Sequence, residues 1–590
     1  MIVKMKKVTL LLSAKHRDDS LKKLRQLGVV HVQELEAPLG EDIQSLENDI
    51  DNLERALRLI AEETSKQEHI SPEQVQPHID DILDLNKQKD AAQRELNELA
   101  EMNAWYERWG DISAHSVQTL KDAGIYIRLY IADKKAFKQI DEDKLIHIAR
   151  DDQGTVYFAL ISRSADERLN FREEQIPPIE PDDVRLQINQ LKNQIAHVNA
   201  EISRLSQYRD SIAAYKEDLG KNLELSRVKH GMADAGELAY LQGFCPVDTV
   251  DDLKKMADQE GWGYIIDEPD DPNEVPTLTR NPRWLRMIRP LFDFMGTLPG
   301  YHEQDVSFVF LAFFSVFFAI LVGDGGYGLV FLILTFIMGR KKKSGSREFI
   351  HLMYVLSLTT ILWGLITGNW FGSKTLAELS FLKIFVIPQL DTFSEMSTGV
   401  VMQLSFVIGV LQLSIGHLLA AFQKINSPKA LAEVGWVVVL WAVFFVANAL
   451  VLSKPMPDFT LTLLAIGVGI IVVFANFQKN IIKGMLQSIG NLPLDVISSF
   501  SDIVSYIRLF AVGFASFIVA SSFNEMAIGA GIDNVFSGII AAIVLFLGHA
   551  LNIALCGMAV LVHGVRLNML EFSGHVGVQW TGKPYKPFKE

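Results

Sequence analysis

The sequence predicts a protein of two parts: an α-helical polytopic membrane domain with eight transmembrane helices, and an N-terminal cytoplasmic domain of α/β lobes and a coiled-coil arm. Two observations support this fold class. The first half of the 590 residues is dense in Glu, Asp, Lys and Arg, whereas long apolar runs dominate from about Val306 onward. Apolar residues in the first half recur at alternating spacings of three and four, which is typical of a coiled coil. The net charge of −14 argues against nucleic-acid binding.

A membrane-proximal α/β lobe is predicted from the two ends of the polar half. Residues 7–12 and 28–35 have the pattern of strands, with a helical stretch between them. Residues 237–266 repeat the order strand, helix and strand. We therefore expect residues 1–40 and 230–295 to form one lobe near the membrane. The apolar core at the start of the chain is too short for a signal peptide, so we expect this half to be cytoplasmic.

A coiled-coil arm with a second lobe at its far end is predicted between the two parts of the first lobe. Heptad positions recur in residues 41–110 and 182–229, and the strand patterns of residues 111–181 predict a distal α/β lobe. Pro72 and Pro77 are expected to separate two helices of the arm. An arm of this kind is a lever, a strut or a docking surface, and nothing in it resembles a catalytic site. The seams comprise Ile43, Leu46, Ile50, Leu53, Leu57 and Ile60, and Val184, Ile188, Leu191, Ile195, Val198, Ile202 and Leu205.

The transmembrane, ion-translocating domain, residues 296–590, is predicted from seven apolar runs. The first run would be about 46 Å long as one helix, which is too long for a simple span. Gly-Asp-Gly-Gly at 323–326 interrupts it, and both flanks are basic, with Arg289 before it and Arg340 and lysines 341–343 after it. Because basic loops stay in the cytoplasm, we expect a tight hairpin of two short spans there, which gives eight spans and two cytoplasmic termini. The runs are 306–338, 349–370, 398–422, 431–452, 460–478, 496–522 and 536–566.

Arg508 lies near the middle of the sixth run, where a charge that cannot be neutralised is costly. As a helix, residues 496–522 have one apolar and one polar face, with Arg508 at the edge of the polar face. Such a helix must turn its polar face towards protein or water. Two interpretations stay open: a structural ion pair of Asp502 with Arg508, or an ion path, the usual role of charge within a membrane. The polar face carries Asp495, Ser498, Asp502, Ser505 and Ser516.

The last apolar run carries a polar stripe. Its members recur at spacings of three and four, so they lie on one face of a long helix, with Glu571 just beyond it. The stripe has two interpretations: hydrogen bonding between helices, or a wet path in which imidazole and carboxylate groups relay protons or coordinate an ion. The stripe comprises His549, Asn552, Cys556, Ala559, His563 and Arg566.

The sequence does not indicate nucleotide chemistry. Residues 323–328 match G-x-G-x-x-G, but the match lies within a membrane run and not between a strand and a helix. No G-x-x-x-x-G-K-[ST] sequence occurs, so we expect no ATP hydrolysis on this chain. No cofactor or metal site is expected, and His417 is interpreted as a packing or interface group rather than a ligand.

Two motifs near the C-terminus resemble those of a known family. Residues 505–511 (Ser-Tyr-Ile-Arg-Leu-Phe-Ala) and 563–571 (His-Gly-Val-Arg-Leu-Asn-Met-Leu-Glu) are similar to the paired signatures of the large membrane stator subunit of rotary V/A-type ATPases, called subunit a or subunit I. The resemblance extends over the whole chain, because the α/β lobe and coiled-coil arm, Asn281-Pro before the membrane, residues 323–328, residues 363–372 and Pro587-Phe also match in order. No single motif is specific, but the ordered set is.

The resemblance implies a stator subunit without catalytic activity of its own. In that family two arginines face a rotor ring of proteolipid subunits, and the motif match assigns these ion-translocation roles to Arg508 and Arg566. Each rotor carboxylate loses its ion before it passes the arginines, and aqueous half-channels serve the two sides of the lipid membrane. The resemblance also implies peripheral stalk subunits on the arm, and an ATP-hydrolysing head joined through those stalks. The expected half-channel residues are Asp495, Asp502, Ser505, Ser516, His549, Asn552, His563 and Glu571.

The sequence also departs from the family pattern. Asp502 and Ser516 stand where eukaryotic relatives carry His, and Cys556 stands where they carry Glu, which leaves the composition of the outer half-channel open. The choice between H⁺ and Na⁺ is open too. Two other classes of function remain, a self-contained secondary transporter and a membrane-anchored scaffold. Secondary transporters commonly contain internal repeats, and neither signature occurs twice here.

Overall fold

The computed structural model describes residues 1–60, 68–140, 144–152, 154–340, 347–476, 481–529 and 534–589, without the side chains of residues 235 and 481–484. The lysines at 341–343, part of the expected basic flank, lie outside the described residues. The chain forms two compact units. One comprises Leu12–Gln26 and Gln33–Leu241, and the other comprises Met1–Leu11, Leu27–Val32 and Gln242–Lys589.

The secondary structure is mixed in the first half and helical in the second. The strands are β1 Met5–Ser13, β2 His31–Gln33, β3 Tyr126–Asp133, β4 Ile146–Asp152, β5 Thr155–Ser162, β6 Arg172–Glu174, β7 Ala233–Ala235, β8 Leu238–Pro246, β9 Gly263–Asp267, β10 Pro276–Thr277 and β11 Lys583–Pro584. The helices up to the first apolar run are α1 Arg17–Leu27, α2 Glu41–Leu59, α3 Pro72–Trp109, α4 Ala114–Asp122, α5 Lys134–Phe137, α6 Pro181–Leu205, α7 Arg209–His230, α8 Val250–Glu260 and α9 Arg289–Met295. Those that follow are α10 Ser307–Val322, α11 Gly325–Arg340, α12 Arg347–Thr367, α13 Lys374–Ala377, α14 Ser380–Lys383, α15 Ser397–Gln423, α16 Lys429–Leu452, α17 Thr460–Phe474, α18 Ile481–Ser505, α19 Ile507–Ile528, α20 Val535–Ala559 and α21 Ser573–Val576.

The unit that ends at Leu241 contains two pairs of long helices and a small sheet. Helix α3 packs along α6, and α2 packs along α7. Heptad side chains such as Leu53 and Val198 are buried in the resulting core. The antiparallel sheet has the strand order β4-β5-β3-β6. As expected, two helices are separate here, since α2 ends at Leu59 and α3 begins at Pro72, a position where no N–H donor is needed. Pro77 does not separate them, because it lies within α3.

The unit that contains the apolar helices begins with a sheet of its own. Strand β1 pairs antiparallel with β9, from Lys7 opposite Asp267 to Leu11 opposite Gly263. The C-terminal segment returns to this sheet region: β11 pairs with β10, and the amide of Phe588 donates to the carbonyl of Val30. Both ends of the apolar half therefore lie beside the same lobe.

Within the described residues, five helices are long and apolar enough to cross a membrane. Three are α12, α15 and α16, and two are composite helices, Met485–Ile528 with 44 residues and Val535–Val576 with 42. Helices α10 and α11 would add one more if counted as a single bent span, and α17 is apolar but shorter. The count supports several membrane spans, and the number eight stays a prediction.

The axes of α10 and α11 differ by 119°, so the chain reverses direction between them. Gly323 makes the reversal possible, because its φ of +68° is a left-handed conformation that favours glycine. Helix α11 then packs against α12 through Gly325 and Gly364. A β-carbon on Gly364 would lie 2.3 Å from the Cα of Gly325, so position 364 needs glycine for this crossing, whereas a β-carbon on Gly325 would make a tight contact of 3.2 Å.

The last two composite helices differ from simple spans. The sixth apolar run continues a helix that begins at Ile481, and this helix breaks at Tyr506. Helix α18 therefore ends three residues before Arg508, and α19 begins one residue after Tyr506. The final helix contains π-helical turns at Val560–Gly564 and Leu567–Phe572. Such turns are rare and often lie at functional sites.

Candidate functional site

Arg508 is held by one buried carboxylate. Its Nη2 donates to Oε1 of Glu571 at 2.5 Å, and its Nε donates to the carbonyl of Ser505 at 2.9 Å. The Glu571 side chain is 4% exposed and that of Arg508 is 21% exposed. Charge-assisted pairs of this kind are strong, and burial of the acceptor strengthens them further.

Arg566 shares the same carboxylate. Its Nε lies 3.7 Å from Oε1 of Glu571, and 56% of its side chain is exposed. A π-helical turn explains this contact, because its hydrogen bonds join residues five apart, the separation of Arg566 and Glu571. We call Arg508, Arg566 and Glu571 the arginine layer. Among the described residues, the second oxygen of Glu571 and Nδ1 of His563 are buried without a hydrogen-bond partner.

A cavity of about 550 Å³ opens on one side of the arginine layer. Three of the half-channel residues expected from the sequence, Asp495, Asp502 and Glu571, line it together. The ion pair of Asp502 with Arg508, one of the two interpretations of the polar face, does not form: Oδ2 of Asp502 lies 3.0 Å from Nε2 of His575 instead. Arg508 takes Glu571 because the π-helical turns bring that carboxylate to it.

A chain of side chains continues from Asp502 along the wall of the cavity. Nδ1 of His575 lies 2.8 Å from Nε2 of His417, and Nδ1 of His417 lies 2.8 Å from Oε2 of Glu433. Lys424 donates to the other oxygen of Glu433 at 2.6 Å. His417 also stacks on a tryptophan, which agrees with its interpretation as a packing or interface group, and its two ring nitrogens take part in the chain as well. We call Glu433, His417, His575 and Asp502 the imidazole chain.

A second polar group of residues lies on α19 and α20, together with Tyr327 of α11. Nδ2 of Asn552 donates to the Tyr327 hydroxyl at 3.0 Å and to the Ser516 carbonyl at 2.9 Å. The Tyr327 hydroxyl lies 2.8 Å from Nδ1 of His549, whose Nε2 lies 3.2 Å from Oδ1 of Asn524. The hydroxyl of Ser516 lies 3.1 Å from the thiol of Cys556. We call these six residues the amide cluster.

Asp324 supports the amide cluster without joining it. It is 1% exposed and accepts hydrogen bonds from the backbone amides of Gly326, Tyr327, Phe371 and Gly372, at 2.7, 3.3, 2.9 and 3.0 Å. The carboxylate therefore fixes the start of α11, which carries Tyr327, to the segment after α12. The sequence predicted a hairpin in the apolar run that contains Asp324. It did not indicate that the aspartate would accept hydrogen bonds from four backbone amides.

The three groups form one ordered ladder between two antiparallel helices. From one end to the other, Asn524 meets His549, Ser516 meets Asn552 and Cys556, Arg508 meets Glu571, and Asp502 meets His575. The arginine layer is thus between the amide cluster and the cavity. Leu509 and Val560, whose sequence positions fall between those of the arginine layer and the amide cluster on the two helices, are buried and apolar.

The structure brings together most of the predicted site residues. Ser505 contributes its backbone carbonyl to Arg508, and His563 lies near both arginines of the layer. Tyr327 and Glu433 were missed because they reach the site from distant segments, whereas Asn524 and His575 lie on the same two composite helices, just beyond the apolar run and the polar stripe that the sequence marked. In the described part of the chain, no group of three or more His, Cys, Asp or Glu side chains is arranged to hold a metal ion.

Comparison with known proteins gives similar chains of full length. The V-type ATP synthase subunit I of Borreliella burgdorferi is 30% identical over 621 aligned positions that cover all of both chains. The V-type ATP synthase subunit I 1 of Treponema pallidum is 30% identical over 630 positions, again covering both chains completely. A crystal structure of the cytoplasmic N-terminal domain of subunit I, homolog of subunit a, of V-ATPase covers 44% of this chain and 99% of its own, with 14% identity and a TM-score of 0.27. No family model matches the chain.

Proposed function

Because this chain belongs to the family of V-type ATP synthase subunit I, a membrane-embedded subunit, we propose that it is the stator that conducts ions past the rotor ring of the machine. It carries H⁺ or Na⁺ through two half-channels and anchors the peripheral stalks through its cytoplasmic arm. ATP hydrolysis takes place on other chains of the complex, in the head that the stalks join to this subunit. The observation that carries the proposal is the ladder in which the arginine layer separates two polar regions.

The arginine layer supplies the electrostatic barrier of the mechanism. Arg508 keeps its charge at any working pH, so a rotor carboxylate that arrives beside it is favoured in its ionised, ion-free form. The same positive charge repels a cation that would otherwise pass directly between the two polar regions. Arg566 has an exposed side chain, which suits a group that meets a rotor carboxylate.

We assign the cavity to the cytoplasmic half-channel and the amide cluster to the outer half-channel. The antiparallel ladder supports this assignment, because it places the two regions at opposite ends of α19. The pairing of β10 with β11 supports two termini on one side of the membrane, which requires an even number of spans. Eight spans fit this requirement if α10 and α11 form a hairpin and α17 crosses the membrane.

Replacement of Arg508 tests the proposal. Arg508→Ala leaves the complex assembled but abolishes ATP-driven ion transport in reconstituted vesicles, because the barrier between the half-channels is lost. Arg508→Lys also fails, since lysine can lose its proton in a buried site. Arg289→Ala removes an exposed arginine outside the ladder and serves as the matched control. Undiminished coupled transport by Arg508→Ala would favour a scaffold, and ion transport by this chain without its complex would favour a secondary transporter.

A further inference from the structure

The imidazole chain joins four segments that are distant in sequence. Glu433 lies on α16, His417 on α15, His575 on α21 and Asp502 on α18. Three consecutive contacts of 2.8, 2.8 and 3.0 Å connect them without a gap. All four residues also line the cavity. One hydrogen bond would be enough to attach the C-terminal segment that carries His575. The chain instead places two imidazoles in direct contact between two carboxylates, which calls for a further explanation.

The number of protons in the imidazole chain follows from its hydrogen bonds. Three hydrogen bonds need three protons, whereas two neutral imidazoles carry one N–H each. With both carboxylates ionised, the third proton must be shared by His417 and His575. The positive charge of that third proton and the ammonium of Lys424 together balance the two negative charges of Glu433 and Asp502. The imidazole chain with three protons, taken together with Lys424, therefore has no net charge. The chain therefore has a place for one exchangeable proton.

We propose that the imidazole chain is a proton relay of the cytoplasmic half-channel, and that H⁺ is the ion this stator conducts. The inference rests on the proposed function and adds the identity of the ion and of the groups that carry it. Asp502 lies six residues before Arg508 in the sequence, about 9 Å along a helix. The relay thus joins the end of the cavity near Lys424 to the neighbourhood of the arginine layer.

One transfer is balanced in atoms and charge. In the direction of ATP-driven uptake, a proton on Glu433 passes to Nδ1 of His417, the proton on Nε2 of His417 passes to Nδ1 of His575, and the proton on Nε2 of His575 passes to Asp502. Three bonds to hydrogen break and three form, so the number of protons on the chain is unchanged, and one proton is moved from its Glu433 end to its Asp502 end. Both rings line the cavity, where exchange with water restores their starting tautomers. Na⁺ cannot use this route, because ring nitrogens 2.8 Å apart leave no room for an ion between them.

Chemical rescue of a histidine variant tests the relay in the reconstituted complex. His575→Ala should lower the initial rate of ATP-driven proton uptake at least about tenfold, since a positioned proton-transfer group typically contributes about 10²–10⁴-fold. Added imidazole should restore the rate, whereas pyrazole, a ring of the same shape that does not protonate near neutral pH, should not. His351→Ala, an exposed histidine on α12, is the matched control and should leave the rate unchanged. His417→Gln, which can keep a hydrogen bond but cannot relay a proton, should lower the rate as His575→Ala does, and it decides the question if His575→Ala does not assemble.

The remaining outcomes separate the relay from the proposed function. Equal rescue by pyrazole, an undiminished rate in His417→Gln, or a requirement for Na⁺ in the unmodified complex would each overturn the relay. These results would leave the stator role in place as long as Arg508→Ala abolishes coupled transport. Coupled transport that survives Arg508→Ala would instead overturn the proposed function itself.

Discussion

The cavity and the amide cluster both place polar groups inside an apolar domain, but the polar groups differ in charge and in how closely they are packed. The cavity holds about 550 Å³ of open space and is lined by several carboxylates and imidazoles. In the amide cluster the residues are hydroxyls, amides, a thiol and one imidazole, and they bond directly to one another. The carboxylate of Asp324, which lies beside the cluster, is saturated by four backbone donors. Ionisable groups therefore lie at the cavity, where water can solvate them. The amide cluster, which we call the packed side, contains neutral groups, and the carboxylate beside it has a hydrogen-bond donor at every position it needs.

Asp324→Ala should have the largest effect on assembly, because it removes the carboxylate that accepts four backbone hydrogen bonds beside the amide cluster. The change leaves four backbone amides without their acceptor, at a cost of about 1–3 kcal/mol for each buried group. We expect the subunit to fail to enter the assembled complex, as measured by co-purification with its partner subunits. Asp324→Asn keeps the oxygen that accepts three of the four bonds, and it should assemble in part. Normal assembly of Asp324→Ala would show that this side is not packed as described.

Glu571→Gln should have the next largest effect, on transport rather than assembly. It removes the anion that Arg508 and Arg566 share, so both arginines are left to bind the rotor carboxylate more tightly and to release it more slowly. We expect ATP-driven transport to fall by at least about tenfold, equivalent to about 1.4 kcal/mol in the barrier. Glu525→Gln, an exposed carboxylate at the other end of α19, is the control. Equal losses in both variants would contradict a special role for Glu571.

The parts of the site that sequence could predict are those that lie on one helix. The first part of the stripe, His549, Asn552 and Cys556, repeats with the period of a helix and lies on the regular helix α20, so its members share a face. Arg508 stood out because a permanent charge within an apolar run needs a reason. The existence of the apolar helices and of the heptad pairs could be predicted on the same local grounds.

The parts that could not be predicted depend on contacts between distant segments or on irregular backbone. His417 and His575 are far apart in the sequence, and nothing local indicates that their rings touch. The partner of Arg508 depends on π-helical turns, which shift Glu571 away from the position that a regular helix would give it. Periodicity assumes regular helices, so the ion pair of Asp502 with Arg508 was a reasonable alternative, and it was wrong.

Two serine variants should have the smallest effects, and they compare a hydroxyl at the cavity with a hydroxyl in the amide cluster. Ser498→Ala lies at the cavity, where water can replace the hydroxyl, so we expect transport within about twofold of the unmodified rate, equivalent to less than 0.5 kcal/mol. Ser516→Ala lies in the amide cluster and removes a buried hydroxyl that contacts Cys556 and the carbonyl of Val322. We expect it to cost about 1 kcal/mol in the free energy of unfolding. Thermal unfolding and transport assays on both variants check this, and equal effects would show that the two sides are hydrated alike.

Thiol labelling from each side of the membrane tests the central claim, two half-channels divided by the arginine layer, most directly. Cysteines are placed in the cavity by Ser498→Cys and in the amide cluster by Asn524→Cys, and the two native cysteines are buried, which keeps the background low. A membrane-impermeant thiol reagent should label Ser498→Cys from the cytoplasmic side alone and Asn524→Cys from the outer side alone. Labelling of either position from both sides, or of both positions from one side, would contradict the account.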